Sequence, residues 1–267
     1  MHARPDGLFP SDLPSVSDMG CESLPLSAKL PRLARELAAY LPGYSLQAEP
    51  ARPVGNWANC ADVAHVEEVI ATIGTRGGDA YVAMRAWNVL TWQSVLIAVL
   101  CAEAEGQAAR VDRARYLGQA PFGCCLNFLP DQVADVRSVA ATYLIRSIEA
   151  TFDILSECLR IRPELARRQI ADRVLGVLHR RARLGFASVA KTKSAAKAWL
   201  AALSLDGLST LDPTPLEDGS EGLWLCRRSC CLEYRATPDF LCATCPRRDR
   251  TDRVALSQEE WRTHVRP

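Results

Sequence analysis

Apolar residues recur at helical spacing along most of this chain. After Ser27, Leu30, Leu33, Leu37 and Tyr40 fall on one stripe that ends near Pro42-Gly43. A loop with Pro50, Pro53 and Gly55 follows. Asn59 or Asp62 then caps a second helix through Val63, Val66, Val69, Ile70 and Ile73, which stops at Gly74. From a cap at Asp79 a third runs through Trp87, Leu90, Trp92 and Ile97 toward Glu105, apolar on several faces as the centre of a bundle would be. Residues 111–130, with Tyr116-Leu117-Gly118, Pro121 and Phe122-Gly123-Cys124-Cys125, read as a short extended pair or an irregular loop. Helical spacing returns from about Asp131 to Arg160, from Pro163 to about Leu184-Gly185, and from Ser194 to Leu203. Asp206 to Gly222 carries three glycines and two prolines and reads as a loop, and Ser257–Thr263 as a terminal helical turn.

The fold expected is mainly α, a helical bundle with a small C-terminal module. Residues 1–25, broken by Pro5, Pro10 and Pro14, form a flexible N-terminal arm. Residues 26–205 form the helical domain, 206–222 a linker loop and 223–267 the cysteine-bearing module. With 267 residues the chain can bury a sizeable core, and 48% hydrophobic with 24% charged residues suits a globular protein. Lys and Arg total 32 against 31 Asp and Glu, so bulk charge does not point to nucleic acid. No apolar leader occupies the first thirty residues, and the uncharged apolar stretch from Val95 to Ala102 is too short to cross a bilayer. Eleven cysteines, an odd number without such a leader, fit a reducing cytoplasm.

Five of those cysteines lie within twenty residues: Cys226, Cys230, Cys231, Cys242 and Cys245. The spacing C-C-x10-C-x2-C belongs to a metal site, and four thiolates admit either a tetrahedral zinc or an iron–sulfur cluster. Cys242 and Cys245 make an ordinary metal knuckle, stiffened by Pro246. Cys230 and Cys231 do not, because adjacent side chains diverge in regular backbone. Two bridged irons offer them a broader target, whereas a zinc set would draw on Cys226 and Cys231. Spacing alone leaves both open.

Arg228-Ser229-Cys230-Cys231-Leu232 followed by Leu241-Cys242-Ala243-Thr244-Cys245-Pro246 resembles the C-terminal [2Fe-2S] motif of the FhuF-type ferric siderophore reductases. The match runs without a gap over about 25 residues, and the motif's C-terminal position agrees too. The resemblance implies that Cys230, Cys231, Cys242 and Cys245 ligate a [2Fe-2S] cluster and that Cys226 stands by. It implies an oxidoreductase whose helical domain binds a ferric siderophore, of hydroxamate type, and whose cluster passes one electron to release ferrous iron. Such chemistry calls for no general acid, base or nucleophile. No G-x-G-x-x-G turn is present, and Gly74-Thr75-Arg76-Gly77-Gly78 is too short for a phosphate loop, so electrons would come from a donor protein such as a ferredoxin or flavin reductase. Peripheral association with the inner membrane is compatible with that role, although no amphipathic anchor is evident. Rival readings are an iron–sulfur sensor or regulator and a zinc-stabilised interaction module.

Between 226 and 253, seven arginines face four carboxylates. Arg227, Arg228, Arg235 and Arg247 are the candidates for tuning the cluster or docking a partner; the plainer reading is that they offset its negative charge. Trp57, Trp87, Trp92 and Trp224 are candidates for an apolar substrate pocket rimmed by Arg85 or Arg115, against the plainer reading of tryptophans on helical stripes as core. Cys124-Cys125, among Phe122, Leu126 and Phe128, reads as buried packing ahead of alternative ligation. His2, His65, His179 and His264 lack metal-ligand spacing, and Lys191, Lys193 and Lys197 read as a solvated helix face.

Overall fold

A computed structural model describes residues 30–48, 57–117, 122–126 and 133–263. The arm assigned to 1–25 lies outside them, as do His2, Cys21, Phe128 and His264. The chain is mainly α, with seven α-helices among the described residues.

Pro31 opens α1 (Pro31–Tyr40), which buries Leu33, Leu37 and Tyr40. Asp62 caps α2 (Val63–Ile73), its Oδ1 accepting from the Ala64 amide at 3.1 Å, and Gly74 ends it. Asn59 serves the preceding turn instead, accepting from Ala61 and donating to the Ala114 carbonyl. Gly78 precedes α3 (Asp79–Leu100), so Asp79 is its first-turn acid rather than its cap. This 22-residue helix has no polar face and packs against three of its neighbours: α2, α4 (Val136–Cys158) and α5 (Pro163–Arg183). By length and hydropathy it resembles a membrane span, but 78% of its most apolar window is buried in the protein, as in a core helix. Trp87 is fully buried, donating to the Ala166 carbonyl at 3.1 Å and meeting Phe152 edge-on.

α3 continues into a π-helical turn, Cys101–Glu105. The wider turn brings two carboxylates to the bundle. Glu103 accepts from Arg137 at 2.6 Å and Trp199 Nε1 at 2.9 Å, and Glu105 accepts from the Leu33 amide at 2.7 Å. Arg181 clamps Glu36 with two hydrogen bonds at 2.6 and 2.8 Å. α5 carries Pro163 and Glu164 in its first turn and three arginines in its last, matching the helix dipole at both ends. α6 (Val189–Ala202) starts earlier than its apolar pattern does, because Ser188 caps it by accepting from the Lys191 amide. Lys191, Lys193 and Lys197 lie on it, and Lys193 pairs with Glu221 at its exposed face.

Two small sheets complete the fold. β1 (Ser45–Ala48), β4 (Gly123–Leu126), β3 (Arg115–Leu117) and β2 (Trp57–Ala58) line up in that order, β1 parallel to β4 and the other pairs antiparallel. The extended pair expected within 111–130 is present as β3 and β4; β1 and β2 replace the ends of what reads as a loop. Gly123 is required here, since a Cβ would stand 3.0 Å from the Ser45 carbonyl oxygen and 3.1 Å from the Trp57 ring. The stretch 206–222, expected as a loop, contributes β5 (Thr210–Pro215), which pairs antiparallel with β6 (Glu221–Cys226). Pro213 and Pro215 are tolerated because β5 has only one neighbour. α7 (Arg250–Arg262) is longer than the turn expected at 257–263 and closes over β6. The Leu223 carbonyl joins three elements, accepting from His179 Nε2 at 2.8 Å, Trp261 Nε1 at 2.7 Å and Ser257 Oγ at 3.3 Å. A carbonyl only accepts, so His179 must carry its proton on Nε2.

Candidate metal centre and adjoining cavity

β6 delivers the chain at Cys226 directly into the cysteine-bearing segment. Arg227 anchors the entry. Its Nε donates to Asp172 Oδ2 at 2.8 Å, Nη2 to Gln169 Oε1 at 3.0 Å, and Nη1 points to Cys242 Sγ at 3.8 Å. Burial opposes the Arg227 charge, but Asp172 and then Cys231 and Cys242 more than offset it, so its pKa is raised. Burial also holds the Asp172 carboxyl above its ordinary range, with Arg227 pulling it back. Gln169 donates in turn to Ser229 Oγ at 2.9 Å. One face of α5 thus fixes both ends of Arg227-Arg228-Ser229.

The Cys230 and Cys245 sulfurs lie 3.9 Å apart, close to the ~3.8 Å edge of a tetrahedron built on metal–sulfur bonds of about 2.3 Å. Cys230 and Cys242 both hydrogen-bond to Cys231, lowering its pKa and raising their own. Cys231 is thereby the thiol of this group most inclined to ionise. Among the described residues, no three His, Cys, Asp or Glu side chains surround a single point as one metal ion would require. Leu232 adopts a left-handed conformation, φ 64°, uncommon for a branched residue, and its amide reaches Cys230 Sγ at 3.3 Å. The knuckle turn closes with the Cys245 amide on the Cys242 carbonyl, and Arg248 donates to the carbonyls of Cys242 and Leu241. As a donor set, four soft sulfurs with an amide and a guanidinium directed at them suit a thiolate-bound metal centre of net negative charge.

Of the four arginines selected from the sequence, only Arg227 reaches a sulfur. Arg228 and Arg235 are exposed, and Arg247 stacks on Tyr234 at 4.3 Å. Gln169, Asp172 and Arg248 gave no sequence signal, because their roles come from helix packing and loop closure. Cys226 is paired with Thr210 in the hairpin. Cys124 and Cys125 are buried in β4, and burial pushes the Cys124 thiol up, as packing thiols require.

Beside the cysteines lies a cavity of about 1210 Å³, adjoined by a recess of about 400 Å³ that Cys231 and Cys242 line. Arg85, Asn88, Arg173 and Glu233 belong to the walls of both spaces. Trp57, Trp92 and Phe122 line the larger one, with Trp92 edge-on to Tyr44 and Phe122. Trp87 is core, and Trp224 is buried with Arg250 and Arg253 over its ring. Arg85 lines both spaces and pairs with Glu233 at 3.7 Å; Arg115 lines neither. His65 faces the cavity and Glu68, whereas His179 is structural.

No family model matches the chain, and no curated protein or solved structure matches it.

Proposed function

We propose that this chain is a cytoplasmic ferric-chelate reductase of the siderophore-iron type, in which Cys230, Cys231, Cys242 and Cys245 hold a [2Fe-2S] cluster. The observation that carries this reading is the position of the Cys231 and Cys242 sulfurs in a recess sharing a wall with a cavity of about 1210 Å³, large enough for a bulky organic chelate. When bound, such a cluster supplies electrons singly, and the ferric ion of the substrate takes one and leaves as the less tightly held ferrous ion. The protein's residues do the rest. Arg227 and the Leu232 amide direct positive charge at the sulfurs and favour added negative charge there, while the cavity brings the chelate near. The electron donor is a separate protein, such as a ferredoxin or flavin reductase.

The purified protein should be red-brown, with two irons and labile sulfide per chain, and Cys231→Ser should remove most of the iron and colour. Mixing the reduced protein with a ferric hydroxamate should reoxidise it and release iron to a ferrous trap. A colourless zinc protein overturns the proposal, as does a coloured one whose reoxidation ignores the chelate, the behaviour of a sensor.

A further inference from the structure

Charges around the two spaces do not all cancel. Arg227 is neutralised by Asp172 at 2.8 Å and Arg85 by Glu233 at 3.7 Å. Arg173, between them, has no carboxylate within ion-pair distance among the described residues; its Nη2 and Nε donate to the neutral Asn88 Oδ1 at 2.8 and 3.3 Å. It is enclosed by protein, yet part of its surface opens to the cavity. Burial brings its pKa from 12.5 to about 10, with the Arg227 and Arg85 charges pushing the same way and the negative charge of Asp172 and Cys231 opposing. An enclosed cation flanked by like charges, and offset only in part by Asp172 and Cys231, favours an electron-rich ligand face beside it. Asn88, itself buried, fixes the guanidinium at the partition between cavity and recess. Farther out, Trp92 is held between Tyr44 and Phe122, presenting a preset apolar wall.

Building on the reductase reading, we propose that this cavity is the chelate's seat, with Arg173 binding the oxygen-bearing, metal-side face and Trp57, Trp92 and Phe122 holding its organic side. The ligand class is a bulky organic chelate that concentrates electron-rich oxygen on one face. The enclosed Arg173 cation suits that face, with the exposed Arg76 farther along the lining, whereas Asp62, Glu68 and Glu233 disfavour a ligand with negative charge spread all round. Arg173 is then the residue that orients the metal toward Cys231 and Cys242.

The gallium(III) complex of a neutral trihydroxamate, which takes no electron, isolates binding from reduction. It is titrated calorimetrically into the full-length protein as purified. Wild type should bind; Arg173→Gln should weaken binding at least tenfold with metal content and visible spectrum unchanged, and Arg173→Lys should recover part of the loss. No binding by wild type overturns the assignment. So does unchanged affinity in Arg173→Gln, whether or not metal is lost; metal loss there would make Arg173 only a counter-charge for the sulfurs. Should Arg173→Gln fail to fold, Val89→Trp fills the cavity from its wall: lost binding supports the seat and retained binding removes it. Arg173-dependent gallium binding without any ferric reduction leaves the seat standing and removes the reductase. Ferric reduction indifferent to Arg173 does the reverse.

Discussion

The helical body and the cysteine-bearing segment achieve order in opposite ways. In the body, α3 is buried along most of its surface, apart from the face carrying Arg85, Val89 and Trp92 at the cavity, and Trp87, Tyr143 and Trp199 are wholly removed from solvent. Between Arg227 and Asp249 only Ser229 and Cys245 are buried. That segment is ordered by polar ties: Arg227 to α5, Arg248 to two carbonyls, Leu232 to a sulfur. Apolar burial sustains a structure of any composition, whereas so short a polar loop needs covalent, metal or ionic links. The contrast separates a part of the fold held by apolar burial from one held by polar ties.

The largest effect separating the halves is in the core. Trp87→Ala should cost ~3–5 kcal/mol in urea unfolding followed by circular dichroism, since it empties a closed site and removes the hydrogen bond to the Ala166 carbonyl. Phe240→Ala, in the cysteine segment and half exposed, should stay within ~0.5 kcal/mol. Equal losses would abolish the contrast.

His179 tests the seam. Burial, with Arg183 adding to it and the Leu223 carbonyl opposing, lowers its pKa from 6.5 to about 4. The unfolded chain therefore binds a proton near pH 6.5 that the folded one refuses until about pH 4. Its contribution is complete above pH 6.5 and is lost as pH falls to 4, ~3 kcal/mol in all. His179→Gln, which can still donate to Leu223, should flatten that part of the stability–pH curve; an unaltered slope would refute the assignment. Smaller than the His179 effect, Ser188→Ala removes the α6 cap and should cost ~1 kcal/mol in thermal unfolding while leaving metal content untouched.

Legibility in the sequence divides along similar lines. Apolar stripes locate α1 to α5 because each buries a face against its neighbours. α7 escapes that test: it buries only Ser257 and Trp261, too few to make a stripe. β1 escapes because its four residues pair with a strand almost eighty positions away, Ser45 opposite Gly123. The four cysteines are readable because their spacing is local. The cavity is not, since its lining is gathered from Trp57 to Thr237. Arg173 is one of six arginines on α5, and nothing in its neighbours marks it. Trp87 and Trp92 lie five residues apart on α3, yet one is core and the other wall, a difference of facing that the sequence pattern does not resolve.

β6 ends at Cys226, and only Arg227, Arg228 and Ser229 separate it from the first motif cysteine. The segment is therefore not portable. A fragment cut at residue 223 would forfeit the β5 partner strand together with Asp172 and Gln169, the groups that aim Arg227. Any graft onto another scaffold would have to take α5 and the whole hairpin along. Geometry at the sulfurs is thus inherited from a helix some sixty positions upstream, and a change on α5 would be felt there without touching a cysteine.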